Sequence, residues 1–171
     1  MMLNKWIYES KLGYIGIAEY DGKIKNIILP TKDKKELDKI LYSLDNNQNL
    51  NMSEIIKVLI SKLDNYFNGI RENFKSIKID TRNKTDFQKK VIDEVRNIDY
   101  GQTASYSDIA KNVGSPKAHR AVGNVMANNE IPIIVPCHRV VKIDKSLGGF
   151  SGGLDMKIEL LKLEGVKLLN A

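Results

Sequence analysis

Apolar residues follow two rhythms along this chain. In "KWIYESKLGYIGIAEYDGKIKNIILP", residues 5 to 30, aromatic and β-branched runs are broken at Gly13 and at Asp21-Gly22, a pattern that predicts antiparallel strands joined by tight turns. The period then lengthens. Lys34 to about Leu44 reads as one helix and "SEIIKVLISKLDNYFNG" as a second, with Ser53 placed to cap it and Gly69 to stop it. Within that second helix Ile56, Leu59, Ile60, Leu63 and Phe67 keep helical spacing. The polar stretch "DTRNKT", residues 80 to 85, is the candidate boundary between two halves.

Beyond it the helical signals sharpen. In "TDFQ", Thr85 can cap while Gln88 reaches back, and Phe87, Val91, Val95 and Ile98 form a stripe that ends at Gly101. "SYSDIAKNVG" offers a Ser105 cap, Asp108 three residues on and Gly114 as terminator. "SPKAHRAVGNVMANN" starts again, with Ser115 as expected cap and Pro116 at the expected first helical position. Two short helices across a tight turn make the layout of a helix-turn-helix, whose second helix normally faces DNA, although many such pairs bind nothing. The second helix carries Lys117, His119 and Arg120 among Ala118, Ala121, Gly123 and Ala127, where base-reading helices usually hold long polar side chains. The favoured reading of the small residues is close helix packing. The alternative is a helix that presses into a groove, with Arg120 entering where a base has left the stack.

Composition narrows the class. A chain of 171 residues with an ordinary apolar share forms one domain or two small ones. It shows neither a signal sequence nor about eighteen consecutive apolar residues, so the expectation is a soluble, cytoplasmic protein without a membrane partner. The formal charge is +6, and the second half is the more basic, with 14 Lys/Arg against 10 Asp/Glu from residue 81 onward. Six basic residues face only Glu130 and Asp144 between Lys111 and Lys145, which suits a polyanion such as nucleic acid. One cysteine and two histidines build neither a disulfide nor a common zinc site, so no metal and no cofactor are expected.

That single cysteine lies in "IVPCHRVV", residues 134 to 141. Pro132 and Pro136 hold the segment away from helix, so Cys137 ends a stiff, apolar stretch with a well-fixed backbone. A lone buried cysteine is most often a small inert hydrophobe. The neighbours argue otherwise, because turning a thiol into a thiolate at neutral pH takes a proton acceptor or a positive charge, which His138 and Arg139 offer. Adjacent residues of an extended chain point apart, so His138 reaches the thiol only if the backbone turns or a water carries the proton. Glu164, in the last turn of "GLDMKIELLKLEG", is a candidate to orient the imidazole, since a helix C-terminus disfavours a negative charge that has no other purpose; the alternative is an ordinary surface glutamate.

"PCHRVV", preceded by "NEIP" and followed by "GGFSGG", together with "SYSDIA" and "KAHRAVGNVM", resembles the O6-alkylguanine-DNA alkyltransferases from about Phe87 to Gly165. The first eighty residues match in layout only. The resemblance implies an α/β N-terminal domain with a short antiparallel sheet, ribonuclease H-like and supporting, over residues 1–82. It implies a mostly helical C-terminal domain over residues 83–171 with a winged-helix-like helix-turn-helix, which holds the DNA and the reaction. The implied function is irreversible, single-use transfer of the alkyl group of O6-alkylguanine, with O4-alkylthymine a second candidate lesion, to Cys137 by a monomer on double-stranded DNA.

By the same resemblance His138 takes the thiol proton through a water, Glu164 stands behind it, and Asn129 braces the turn that holds the cysteine. Tyr106 donates to the extruded guanine, and Arg120 fills the gap in the duplex, with Lys117, Ala118, His119, Ala121 and Gly123 on the DNA face. Val135, Val140, Phe150 and Ser151 line the base pocket, the carbonyls of Cys137 and Val140 and the amide of Ser151 reading the base edge. Departures from the pattern are Phe150 in place of a common tyrosine, His119 in place of a small residue, and Ala127 without the basic group of some relatives. Two other classes share features of this chain. Alkyltransferase-like proteins bind lesions without transfer, but they lack the cysteine that is present here. A thiol hydrolase or redox enzyme lacks support because no resolving cysteine exists.

Overall fold

In the computed structural model, which describes residues 3–45 and 52–167, the opening alternation becomes a three-stranded antiparallel sheet in the order β1 (Asn4–Ser10), β2 (Gly13–Tyr20), β3 (Lys23–Thr31). Asp21 and Gly22 both take positive φ, 52° and 69°, as the two-residue turn between twisted strands requires. Helix α1 (Lys34–Leu44) lies on the sheet over Gly16, where a Cβ would come within 2.8 Å of Leu37 and 2.7 Å of Ile28. Helix α2 (Glu54–Phe67) adds Ile56, Leu59, Leu63, Tyr66 and Phe67 to the same core as Ile15, Ile17 and Ile24. Ser53 stands at the N-cap of α2, yet its hydroxyl makes no cap bond, which corrects the sequence expectation.

The chain divides into two compact units, Met1–Asp80 and Thr81–Ala171. The second unit opens with α3 (Asp86–Arg96), whose Thr85–Gln88 capping box satisfies two otherwise orphan amides. A second capping box, Ser105–Asp108, starts α4 (Tyr106–Asn112). The next helix, α5, runs only from His119 to Ala127. Ser115 does not cap it. Instead the Ala118 amide donates to the Ser115 carbonyl at 2.8 Å, closing a turn with Pro116 in its second position. Every residue from Ile131 to Val141 is buried, as are Val91, Val95, Ile109, Val122, Met126, Leu160 and Leu161 of the helices of this unit. Helix α6 (Leu154–Leu163) follows a glycine-rich loop and ends at Gly165, φ 74°.

A two-residue parallel ladder, β4 (Ala104–Ser105) with β5 (Val140–Val141), was not legible in the alternation because neither strand is long enough to show a period. It matters for the site. It pins the start of α4, and with it Tyr106, beside the chain that leaves Cys137.

Candidate active site

The turn that carries Cys137 is built against local preference. Ile133 has φ 73°, a left-handed conformation that a β-branched residue adopts only under constraint. The constraint comes from Asn129. Its side-chain NH2 donates to the Val135 carbonyl at 2.9 Å, and its Oδ1 accepts from the Ile131 amide at 3.1 Å, so one side chain bridges both ends of the turn. The Val135 amide closes it by donating to the Ile131 carbonyl at 2.9 Å. Pro136 then takes φ −78° and ψ 65°, the values of an inverse γ-turn, and the Cys137 amide donates to the Val135 carbonyl at 2.8 Å. Cys137, His138 and Arg139 form a single 3-10 turn. The backbone therefore does turn at the thiol.

Around the sulfur, the Asn129 NH2 also donates to Sγ at 2.9 Å. Burial pushes the Cys137 thiol up, while the Asn129 hydrogen bond, the charge of Lys157 and the amides of Cys137 and His138 pull it down. His138 is fully buried, and its Nε2 lies 2.7 Å from Glu164 Oε1. Burial holds the imidazole below its ordinary pKa, against the contrary pull of Glu164, with Arg139 and Lys157 adding to the lowering. The imidazole is thus neutral at pH 7. With Nε2–H given to the carboxylate, Nδ1 is the nitrogen left to accept a proton.

Glu164 is buried, not on the surface, and it is the hub of the site. Besides His138 it accepts from Arg139 Nε at 2.9 Å, Arg139 Nη2 at 2.9 Å and the Gly101 amide at 3.1 Å. Burial works against its charge, but the His138 hydrogen bond, the charge that the imidazole takes on in acid, and the hydrogen bonds and charge of Arg139 bring it down to about 2. Arg139 therefore does not face the thiol, as the sequence reading suggested. It is turned the other way, with Nη1 donating to the Ile98 carbonyl at 2.7 Å.

The sequence reading missed Lys157. This lysine is fully buried, and its Nζ donates to the Val140 carbonyl at 2.7 Å, to the Leu147 carbonyl and, at 3.4 Å, to the Gly149 carbonyl. Burial pulls it down to about 8, and the Cys137 charge pulls the other way. A signal was available: Lys157, Leu160, Leu161 and Glu164 share one helical stripe, so both polar members were placed where a core face is expected. The Val140 carbonyl, read as a base-edge acceptor, already receives Lys157, and only its second lone pair is left for another donor.

Tyr106 is half-buried; burial and then the Cys137 charge raise its pKa, so it is a neutral phenol able to donate. Its hydroxyl lies 3.0 Å from where a Cβ on Gly148 would stand, and its ring borders Gly123. A hollow of about 630 Å³ runs along Lys142, Leu147, Gly148, Gly149, Phe150 and Leu154, among others. Of the expected pocket residues Phe150 lines it, while Val135, Val140, Ser151 and the 3%-exposed Cys137 do not. On α5 the outward face shows His119, Arg120, Ala121 and Ala127 exposed, with Lys117 exposed just before it; Ala118 and Gly123 are partly covered. Ala121 and Ala127 face outward, so close helix packing does not account for them, whereas it does fit Gly123, where a Cβ would stand 4.0 Å from the Tyr106 ring.

Two family models cover most of the chain: "6-O-methylguanine DNA methyltransferase, ribonuclease-like domain" over residues 4–81, and the "DNA binding domain" of the same name over residues 86–166. A methylated-DNA--protein-cysteine methyltransferase of Methanosarcina acetivorans is 39% identical over 159 residues, covering 93% of this chain and 96% of that protein. Among solved structures, the O6-methylguanine methyltransferase of Mycobacterium tuberculosis matches with a TM-score of 0.76 at 32% identity, over 95% of this chain and 93% of that one. A Mycobacterium tuberculosis OGT in complex with DNA matches with a TM-score of 0.74 at 30% identity, over 94% and 92%.

Proposed function

Because the chain belongs to the 6-O-methylguanine DNA methyltransferase family, we propose that it repairs O6-alkylguanine in DNA by moving the alkyl group onto its own Cys137, once per molecule. The observation that carries this reading is one buried sulfur that takes the Asn129 amide hydrogen bond and the Lys157 charge, in the residue next to an imidazole whose Nε2 is held by Glu164.

The thiol proton passes to His138 Nδ1 through a water, and the thiolate attacks the saturated carbon on O6. A C–S bond forms, the C–O6 bond breaks, and its electron pair goes to the purine, which takes one proton from solvent to become guanine while His138 returns the thiol proton to solvent. Tyr106, a neutral donor, hydrogen-bonds the departing base and lowers the barrier. The sulfur is left as a thioether, and the sequence holds no second cysteine to clear it, so each molecule acts once.

The partner is double-stranded DNA. Helices α4 and α5, read as a helix-turn-helix, offer it an outward face of small residues that permits close approach, with Arg120 exposed at the start of α5 to occupy the space an extruded base leaves. One chain carries every group the step uses, so a monomer suffices. The test is intact and peptide mass after mixing with a duplex that bears O6-methylguanine. The expected result is one added methyl on Cys137, none on the Cys137→Ser variant, and retained duplex binding by that variant. A wild-type protein that stays unmodified overturns the reading.

A further inference from the structure

We propose that Arg139 is a positioning residue for the proton relay, its guanidinium locking the Glu164 carboxylate in the orientation that lets Oε1 hold the His138 Nε2 proton. The inference rests on the alkyl-transfer reading above. Arg139 spans the carboxylate edge-on, with Nε to Oε2 and Nη2 to Oε1, both at 2.9 Å, and Nη1 is itself fixed by the Ile98 carbonyl at 2.7 Å. Such a fork fixes a plane as well as a distance, which a lysine ammonium does not.

The need for it follows from where Glu164 stands. It is the C-cap residue of α6, at the negative end of the helix dipole and out of water. Left alone there, a carboxylate lowers its energy by taking up a proton or by rotating toward solvent. A glutamic acid in its neutral form no longer selects the Nε2–H tautomer, and Nδ1 is then no longer reserved for the thiol proton. The charged and titratable groups that face the Glu164–His138 pair are Arg139 from the 3-10 turn, Tyr100 from the loop before β4, and Lys157 from α6. Of these, Arg139 is the cation in direct contact with the carboxylate. Its adjacency to His138 in one tight turn means that the base and its brace move as a unit.

The mechanism sets the sign of the test. Removing a positive charge raises the proton affinity of the Glu164–His138 pair whichever member binds the proton. The acid limb of the pH–rate profile for alkyl transfer then moves up. Single-turnover transfer from an O6-methylguanine duplex is measured from pH 5 to 9 for wild type, Arg139→Met and Arg139→Lys, with duplex affinity measured in parallel. For Arg139→Met the expectation is an acid limb displaced upward by about one pH unit, a plateau lowered by about tenfold or more, and unchanged duplex affinity. Arg139→Lys keeps the charge and loses the fork, so its limb stays at the wild-type pH while its plateau falls by about tenfold. An unmoved limb in the methionine variant, or a wild-type plateau in the lysine variant, overturns the proposal. If Arg139→Met does not fold, the lysine variant decides alone on its plateau. Wild type that fails to transfer defeats the parent reading instead, so the two failures are distinguishable.

Discussion

Lys157 keeps a positive charge in a place where nothing but its contacts makes that tolerable. At about 8 its pKa still leaves the ammonium form dominant at pH 7, and its three carbonyl acceptors belong to the strand after Cys137 and to the loop that borders the hollow. Replacing it by methionine keeps the volume and strands those carbonyls, so Lys157→Met is expected to lose about 2 kcal/mol of stability in chemical denaturation. Alkyl transfer should slow by about tenfold, since the thiolate loses a positive charge that favours it. Stability and rate both at wild-type level contradict the role given to this residue. The sequence reached Cys137, His138, Glu164 and Asn129 through the motif, but not Lys157 or the direction of Arg139. Spacing showed that Lys157 and Glu164 lie on the buried stripe of α6; which partners awaited them depended on a loop whose path no local pattern encodes.

At the scale of elements, Thr85 and Ser105 were legible as caps because the partner glutamine or aspartate stands three residues on in each case. Ser115-Pro116 was misread for an equally local reason. The first helical position and the second turn position both ask for φ near −65°, so proline alone does not tell them apart. The structure resolves this by starting α5 at His119 and leaving Ser115 in the turn. The outward face of α5 yields a prediction at this scale. Ala121 is exposed, so Ala121→Glu should leave stability within about 0.5 kcal/mol of wild type. It also sets a negative charge against phosphate, and affinity for duplex DNA should fall by about tenfold at low salt, with the deficit shrinking as salt rises. Titration of labelled duplex at two salt concentrations checks both statements. Undiminished binding would remove α5 from the interface.

The whole molecule should respond to acid through its buried relay. Glu164 has a folded-state pKa of about 2, below its unfolded value, so its contribution is complete above the unfolded pKa and is lost as pH falls toward 2. His138 is held neutral by burial; its unfolded form binds the proton first, and this too costs stability as pH falls below about 6.5. The two effects add in one direction, and denaturation at pH 7 and pH 3.5 should differ by about 3 kcal/mol, with a smaller difference in Glu164→Gln. An acid dependence that is the same in both proteins would assign it to other carboxylates. The left-handed Ile133 has a different kind of consequence. A conformation that costs about 1–3 kcal/mol is a minority state of a free chain, and it persists here because Asn129 grips both ends of the turn. The nascent polypeptide therefore lacks the Asn129 hydrogen bond to its thiol, and that contact to Sγ arises only as the turn closes.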